Sequence, residues 1–152
     1  MRKLFVLVPA LLLALSGCAT QGGAPFSEAR AEPGKALVYV YRSDTVAGEW
    51  VPTVKVEGTP NFDLQNDRYA ALNLAPGKHV VRAEWPRRSD VGTAEAALNV
   101  EANQTYYVKV AAETHDGAVG KAVVFYMNAK PSVRVVQRDE AMKSLPQAKS
   151  AR

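Results

Sequence analysis

Few side chains in these 152 residues have the chemistry of a reactive site: one cysteine, two histidines and no Gly-x-Ser-x-Gly elbow. Covalent catalysis needs a nucleophile beside a base and a set of oxyanion donors, and no spacing here offers that. His79 opens an apolar run with Val81, Ala83 and Trp85 on its face, so it reads as a hydrogen-bonded rim residue rather than a base. His115 stands in Glu113-Thr114-His115-Asp116-Gly117, a polar loop; ligand-competent neighbours in sequence rarely converge on one ion, so the loop reads as a solvated turn. Gly117 to Ala122 lacks the first glycine and the Ser or Thr of a phosphate loop, positions held by His115 and Ala122. Asn103-Gln104-Thr105 matches a glycosylation acceptor only by coincidence at the head of a strand. The most suggestive surface is Trp85-Pro86-Arg87-Arg88-Ser89-Asp90, because Trp and Arg are enriched at binding hot spots and Arg pairs bidentately with carboxylate or phosphate. Trp50, between Gly48-Glu49 and Val51-Pro52, is the residue expected to join it. The plainer alternative is a solvated loop with Trp85 packed into the end of the fold.

The chemistry of Cys18 belongs to the leader. Arg2 and Lys3 precede an apolar run from Leu4 to Leu15, and Leu15-Ser16-Gly17-Cys18 follows at once. The run is short of the roughly 20 residues that cross a bilayer, and Pro9 interrupts its helical hydrogen bonding. Leu-Ser-Gly-Cys resembles the bacterial lipobox, in which the cysteine thiol is alkylated with diacylglycerol and the chain is then cut on its N-terminal side. The expected mature Cys18 carries diacylglycerol and an N-acyl chain and no other cofactor. At roughly 0.8 kcal/mol for each buried CH₂, three acyl chains make detachment negligible. By resemblance to lipoprotein sorting in bacteria with two membranes, Ala19 after the cysteine implies the outer membrane, with the domain facing the periplasm.

Composition narrows the partners. The chain is 47% hydrophobic and 22% charged, as expected of one globular domain. Loss of Arg2 and Lys3 leaves seventeen basic residues against fifteen acidic, a net charge of +2 that demands no nucleic-acid partner. A lone cysteine excludes an intramolecular disulfide framework.

The elements that must position these residues are strands. Residues 18–35 show no apolar periodicity and predict a flexible tether. Leu37-Val38-Tyr39-Val40-Tyr41 is β-branched and aromatic on both faces, as a strand covered on both sides would be. Alternation with a period of two follows around Val54 and Val56, through Ala70, Leu72 and Leu74, from Ala94 to Val100, and through Tyr106, Val108 and Val110. Ala122 to Met127 and Val133 to Val136 complete about eight strands. Pro76-Gly77 predicts a type II turn joining Arg68–Leu74 and His79–Trp85 in a hairpin, and residues 101–104 a second turn. Asp139 should cap a short helix with Met142 and Leu145 on one face and Pro146 ending it, before a frayed tail from Gln147. The expected architecture is all-β: an antiparallel immunoglobulin-like sandwich over residues 36–138, behind a leader (1–17) and a tether (18–35), with a short C-terminal helix and tail over 139–152.

Lys35 to Arg42, Val56-Glu57-Gly58, Leu74 to His79 and Thr105-Tyr106-Tyr107-Val108, in that order, resemble a family of small bacterial envelope lipoproteins, the domain of unknown function 2846. The resemblance implies the fold and no activity, for the family has no assigned substrate or catalytic residue. Residues 43–50 and 61–67 are long inserts relative to it. Together these features predict a non-enzymatic protein, held to the membrane by its lipid anchor, that binds an envelope protein or another envelope component through loops. The alternatives are a passive or self-associating structural protein using its sheet edges, and a hydrolase with a loop metal at His115.

Overall fold

The structure, a computed structural model, describes residues 23–44, 50–114 and 129–151. Cys18, the His115 loop, the Gly117 to Ala122 segment and the 122–127 run lie outside the described residues.

The chain builds a β-sandwich. Its strands are β1 (Ala36–Arg42), β2 (Thr53–Val56), β3 (Phe62–Asp63), β4 (Arg68–Leu74), β5 (Gly77–Glu84), β6 (Thr93–Val100), β7 (Thr105–Thr114), β8 (Ala129–Val136) and β9 (Lys149–Ser150). One sheet runs β8-β7-β1-β4-β9 and the other β3-β2-β5-β6. The period-two pattern sorts the side chains as the sequence predicts. Val38, Val40, Val54, Val81, Ala83, Leu72 and Val108 meet between the sheets.

All seven residues of β1 are buried, so it is covered on both faces. Its outward residues Leu37, Tyr39 and Tyr41 lie under a third layer made by the two ends of the chain: Phe26 on one side, Ala141, Leu145 and Ala148 on the other. Phe26 stands edge-on to Tyr39 and Tyr69 with ring centroids 5.3 Å apart in both cases, and Tyr39 stacks on Tyr107 at 5.7 Å. Such pairs contribute roughly 0.5–1.5 kcal/mol each beyond the area they bury. Burial pushes the Tyr41 hydroxyl up from 10 to about 12.

Four expectations are corrected. Strands β4 and β5 do not form a hairpin: β4 pairs with β1 and β9, and β5 pairs with β2 and β6 in the other sheet. The Pro76-Gly77 turn instead carries the chain across the core, because the apolar faces of β4 and β5 close on each other rather than side by side. Gly77 has φ of 134°, a conformation other residues adopt at a cost.

Second, the first sheet is mixed, since β7 runs parallel to β1 and β9 parallel to β4. After β6 the chain re-enters that sheet at the end where β1 begins, with Asn103 N donating to Lys35 O (2.7 Å) and Leu37 N to Gln104 O (2.9 Å), so β7 must set out in the same direction.

Third, residues 25–32 are not a free tether. Phe26 N donates to Ala148 O (3.1 Å), Ala29 N to the Tyr39 hydroxyl (2.7 Å), and Glu28 meets Arg138. Fourth, the tail is not frayed. The helix is one turn, α1 (Arg138–Ala141), with Gln137 at its N-terminal boundary and no side-chain cap; Asp139 lies inside the first turn and is not the cap expected of it, and after a 3₁₀ turn over Leu145–Gln147 the chain adds β9 to the sheet edge. Leu145 is buried and Met142 packs against the same cluster, so the apolar pair predicted on one face is what docks this segment.

Candidate binding site at the loop end

The turn after β5 begins from an alternation that buries Val81, Ala83 and then Trp85. Trp85 N donates to Gly92 O at 2.9 Å, closing the neck of the loop. Within it Pro86 starts a 3₁₀ turn over Arg87–Ser89. Ser89 is 4% exposed, and both its amide (2.8 Å) and its hydroxyl (2.7 Å) donate to Pro86 O. Val91, also buried, pins the other side. With the turn held by Ser89 and Val91, Arg87 and Arg88 are left exposed at its crest.

Trp50 reaches this turn along the neighbouring strand of the same sheet, since it leads into β2, whose Thr53 pairs with Glu84 at the end of β5. The Arg88 guanidinium carbon lies 5.0 Å from the centroid of the Trp50 ring, a cation–π stack. Trp50 is half-buried, whereas Trp85 is only 5% exposed, so the two tryptophans have different roles. Trp85 packs in the end of the sandwich, where its Nε1–H has no acceptor among the described residues. The surface therefore comprises Trp50, Arg87 and Arg88; Trp85 is the floor beneath it.

What places Trp50 is a buried ion pair. Arg42, at the end of β1, has no solvent exposure; its Nε donates to Asp44 Oδ1 at 2.8 Å and its Nη1 to the carbonyls of Trp50 (2.9 Å) and Leu64 (3.3 Å). Asp44 Oδ2 accepts from Ala112 N at 2.9 Å, and Asp44 N donates to Asn66 Oδ1 at 2.8 Å. Both charges are satisfied by fixed partners, the condition under which a buried pair holds geometry. Sequence reasoning missed this pair. The available signal was a cation closing a strand buried on both faces, with an acid two positions on, which the strand period puts on the same side.

A second polar cluster lies on the outer face of the first sheet. Arg138 grips Glu28 through Nε (3.1 Å) and Nη2 (2.9 Å), and the Tyr107 hydroxyl donates to the same carboxylate at 3.1 Å. The Arg138 hydrogen bond holds the Glu28 carboxyl below the ordinary carboxylate range. A shallow groove of about 530 Å³ opens beside it, lined by Glu28, Gln104, Tyr106, Tyr107 and Arg138 among others. Because Glu28 and Arg138 neutralise each other there, the groove presents no free charge from that pair. His79 donates or accepts at Nε2 with the Ala75 carbonyl (2.8 Å), which ties it across the Pro76-Gly77 turn. Among the described residues no three His, Cys, Asp or Glu side chains gather as a metal-ligand set, and no helix is long and apolar enough to cross a membrane.

The family described as protein of unknown function (DUF2846) matches residues 32–125. The chain belongs to that family. The DUF2846 match runs from the turn before β1 past the end of β7, and so includes Trp50, Trp85, Arg87, Arg88 and the Arg42–Asp44 pair. It leaves out Cys18, the Phe26 segment, β8, α1 and β9. No curated protein matches the chain.

Proposed function

We propose that this is a non-enzymatic envelope protein, anchored by lipid at Cys18 in the outer membrane and facing the periplasm, that binds an envelope component through the end of its sandwich bearing Trp50, Arg87 and Arg88. The observation that carries the reading is the Trp50–Arg88 stack with Arg87 exposed beside it, on a turn whose shape is held by buried Ser89 and Val91. A rigid crest with two guanidinium groups and an aromatic face suits an anionic or carboxylate-bearing surface, and its fixed backbone lowers the entropy lost on binding. The lipid anchor is supported by the leader and the Leu-Ser-Gly-Cys motif.

Association through strand edges is less well supported. Strands β3 and β9 end their sheets with two residues each, and β6 and β8, the other two edges, lie against one another. Short or covered edges leave little backbone for an added strand.

The test is a photo-cross-linking residue placed at Arg87 in the living cell, with palmitate labelling of the same protein. The reading expects label in the wild type, none in Cys18→Ala, and a discrete adduct at residue 87 that is absent when the cross-linker stands at Lys78. Adducts mapping to β6 or β8 instead would move the function to the sheet edges.

A further inference from the structure

The membrane that holds the lipid is itself the nearest candidate for what the Trp50 and Arg87–Arg88 surface meets. Gly23 is the first described residue, and it packs so closely on β9 that an added Cβ would lie 1.8 Å from the Ser150 carbonyl oxygen and 3.1 Å from Arg68 Nη1. From Cys18 to Gly23 the chain advances five residues, at most about 18 Å when fully extended. The docked N-terminal segment therefore begins at one defined end of the sandwich, and the lipid lies within a short reach of it.

That end is the one with the tryptophans. Arg68, beside Gly23, is the register partner of Arg42 across β4 and β1. Arg42 holds the Trp50 carbonyl, and Trp50 carries Arg88. The opposite end, with Gly77 and the start of β1, lies six residues along β4, about 20 Å farther from the leash. Both tryptophans of the chain are at the near end. On the turn itself two arginines stand against one acid, Asp90, and Lys149 with Arg68 lies beside the entry point of the leash against Asp67. Aromatic rings with arginines close to a bilayer are the composition that settles at the headgroup level.

We infer that the Trp50, Arg87 and Arg88 surface docks on anionic phospholipid headgroups of the bilayer in which the Cys18 lipid is inserted, so that the sandwich stands on that end. This rests on the lipid anchor and the binding surface proposed above, and names what that surface binds. Arg87 and Arg88 pair with phosphate oxygens, and the half-buried Trp50 ring lies at the headgroup level beneath Arg88.

The experiment uses full-length acylated protein inserted in vesicles of phosphatidylcholine, or of phosphatidylcholine with phosphatidylglycerol, whose acyl chains are either brominated or not. Tryptophan fluorescence reports on this end without a label. The expected result is quenching by brominated lipid in the anionic vesicles, weaker in the zwitterionic ones and lost near 1 M salt, where screening shortens to roughly 3 Å while the acyl anchor holds. In Arg87→Gln/Arg88→Gln the ratio of docked to undocked protein should fall ~30-fold, about fivefold for each arginine lost near an anionic surface. Equal quenching of wild type and variant, or no quenching of acylated protein in anionic vesicles, would overturn the inference. Unquenched tryptophans together with a discrete protein adduct at residue 87 would assign the surface to a protein partner instead. The mass of the same preparation reads the acyl chains separately. Were they absent, the lipid anchor would fail alone, and salt-sensitive binding of that chain to anionic vesicles would still decide the docking surface.

Discussion

Replacing Asp44 with alanine removes the anion from a guanidinium that has no solvent exposure and takes the acceptor from Ala112 N. Arg42 keeps its bonds to the Trp50 and Leu64 carbonyls, so its hydrogen-bonding is only partly lost, but its buried ion pair with Asp44 is broken in the core. Breaking one side of a buried pair costs about 3–5 kcal/mol. A domain of this size has roughly 5–15 kcal/mol in total, so Asp44→Ala should still fold, near the edge of stability. With a urea dependence of about 2 kcal/mol per molar, the unfolding midpoint should drop by ~2 M. Urea titration followed by tryptophan fluorescence measures this directly, since the pair holds Trp50 by its carbonyl. The double variant Arg42→Met/Asp44→Leu removes both charges and should lie closer to wild type than Asp44→Ala, even though the Trp50 and Leu64 carbonyls lose a donor. A midpoint within about 0.5 M of wild type for Asp44→Ala would refute the argument that this pair braces the Trp50 loop, as would a double variant less stable than the single.

Gly23→Ala should force the N-terminal segment off β9, because its Cβ meets backbone rather than a side chain that can swing away; faster hydrogen exchange at the Ser150 and Phe26 amides, which donate to Ala24 O and Ala148 O, with β1 still protected, is the expected result, and unchanged exchange at Ser150 would count against the close approach. The Glu28–Arg138 contact adds an acid dependence. Since the folded Glu28 carboxyl titrates below its ordinary value of 4.5, the stabilisation is present above that value and is lost as pH falls through the folded pKa. Protection of Ala29 N, which donates to the Tyr39 hydroxyl, measured against its intrinsic exchange rate at each pH, should fall in acid in the wild type and already be lowered at neutral pH in Glu28→Gln; identical protection profiles for the two proteins would exclude that role.

Strand positions were legible because a strand shows its burial at a period of two. Val54 and Val56, Leu72 and Leu74, and Leu98 and Val100 point inward as their spacing says, and β1 is buried on both faces as its composition says. The loop motif Trp85-Pro86-Arg87-Arg88 was legible for its exposed arginines, because a Pro-led turn between two strands is local chemistry. Which strands pair was not. Pro76-Gly77 specifies a reversal, but whether the chain returns in its own sheet or in the facing one depends on which apolar faces must close, and that is set by strands distant in sequence. The terminal segments were misread for the same reason. Phe26 and Ala148 show no period of their own, and each is ordered by the outer face of β1 and β4, where Tyr39 and Tyr69 wait to be covered. Arg42 and Asp44 look like ordinary surface charges until Trp50, Leu64, Asn66 and Ala112 surround them. Sequence alone determined most of the strands and the exposed arginines, since those follow from local pattern. Tertiary structure decided the sheet order, the covering of β1 by both chain ends and the stacking of Arg88 on Trp50, since each depends on contacts between segments tens of residues apart.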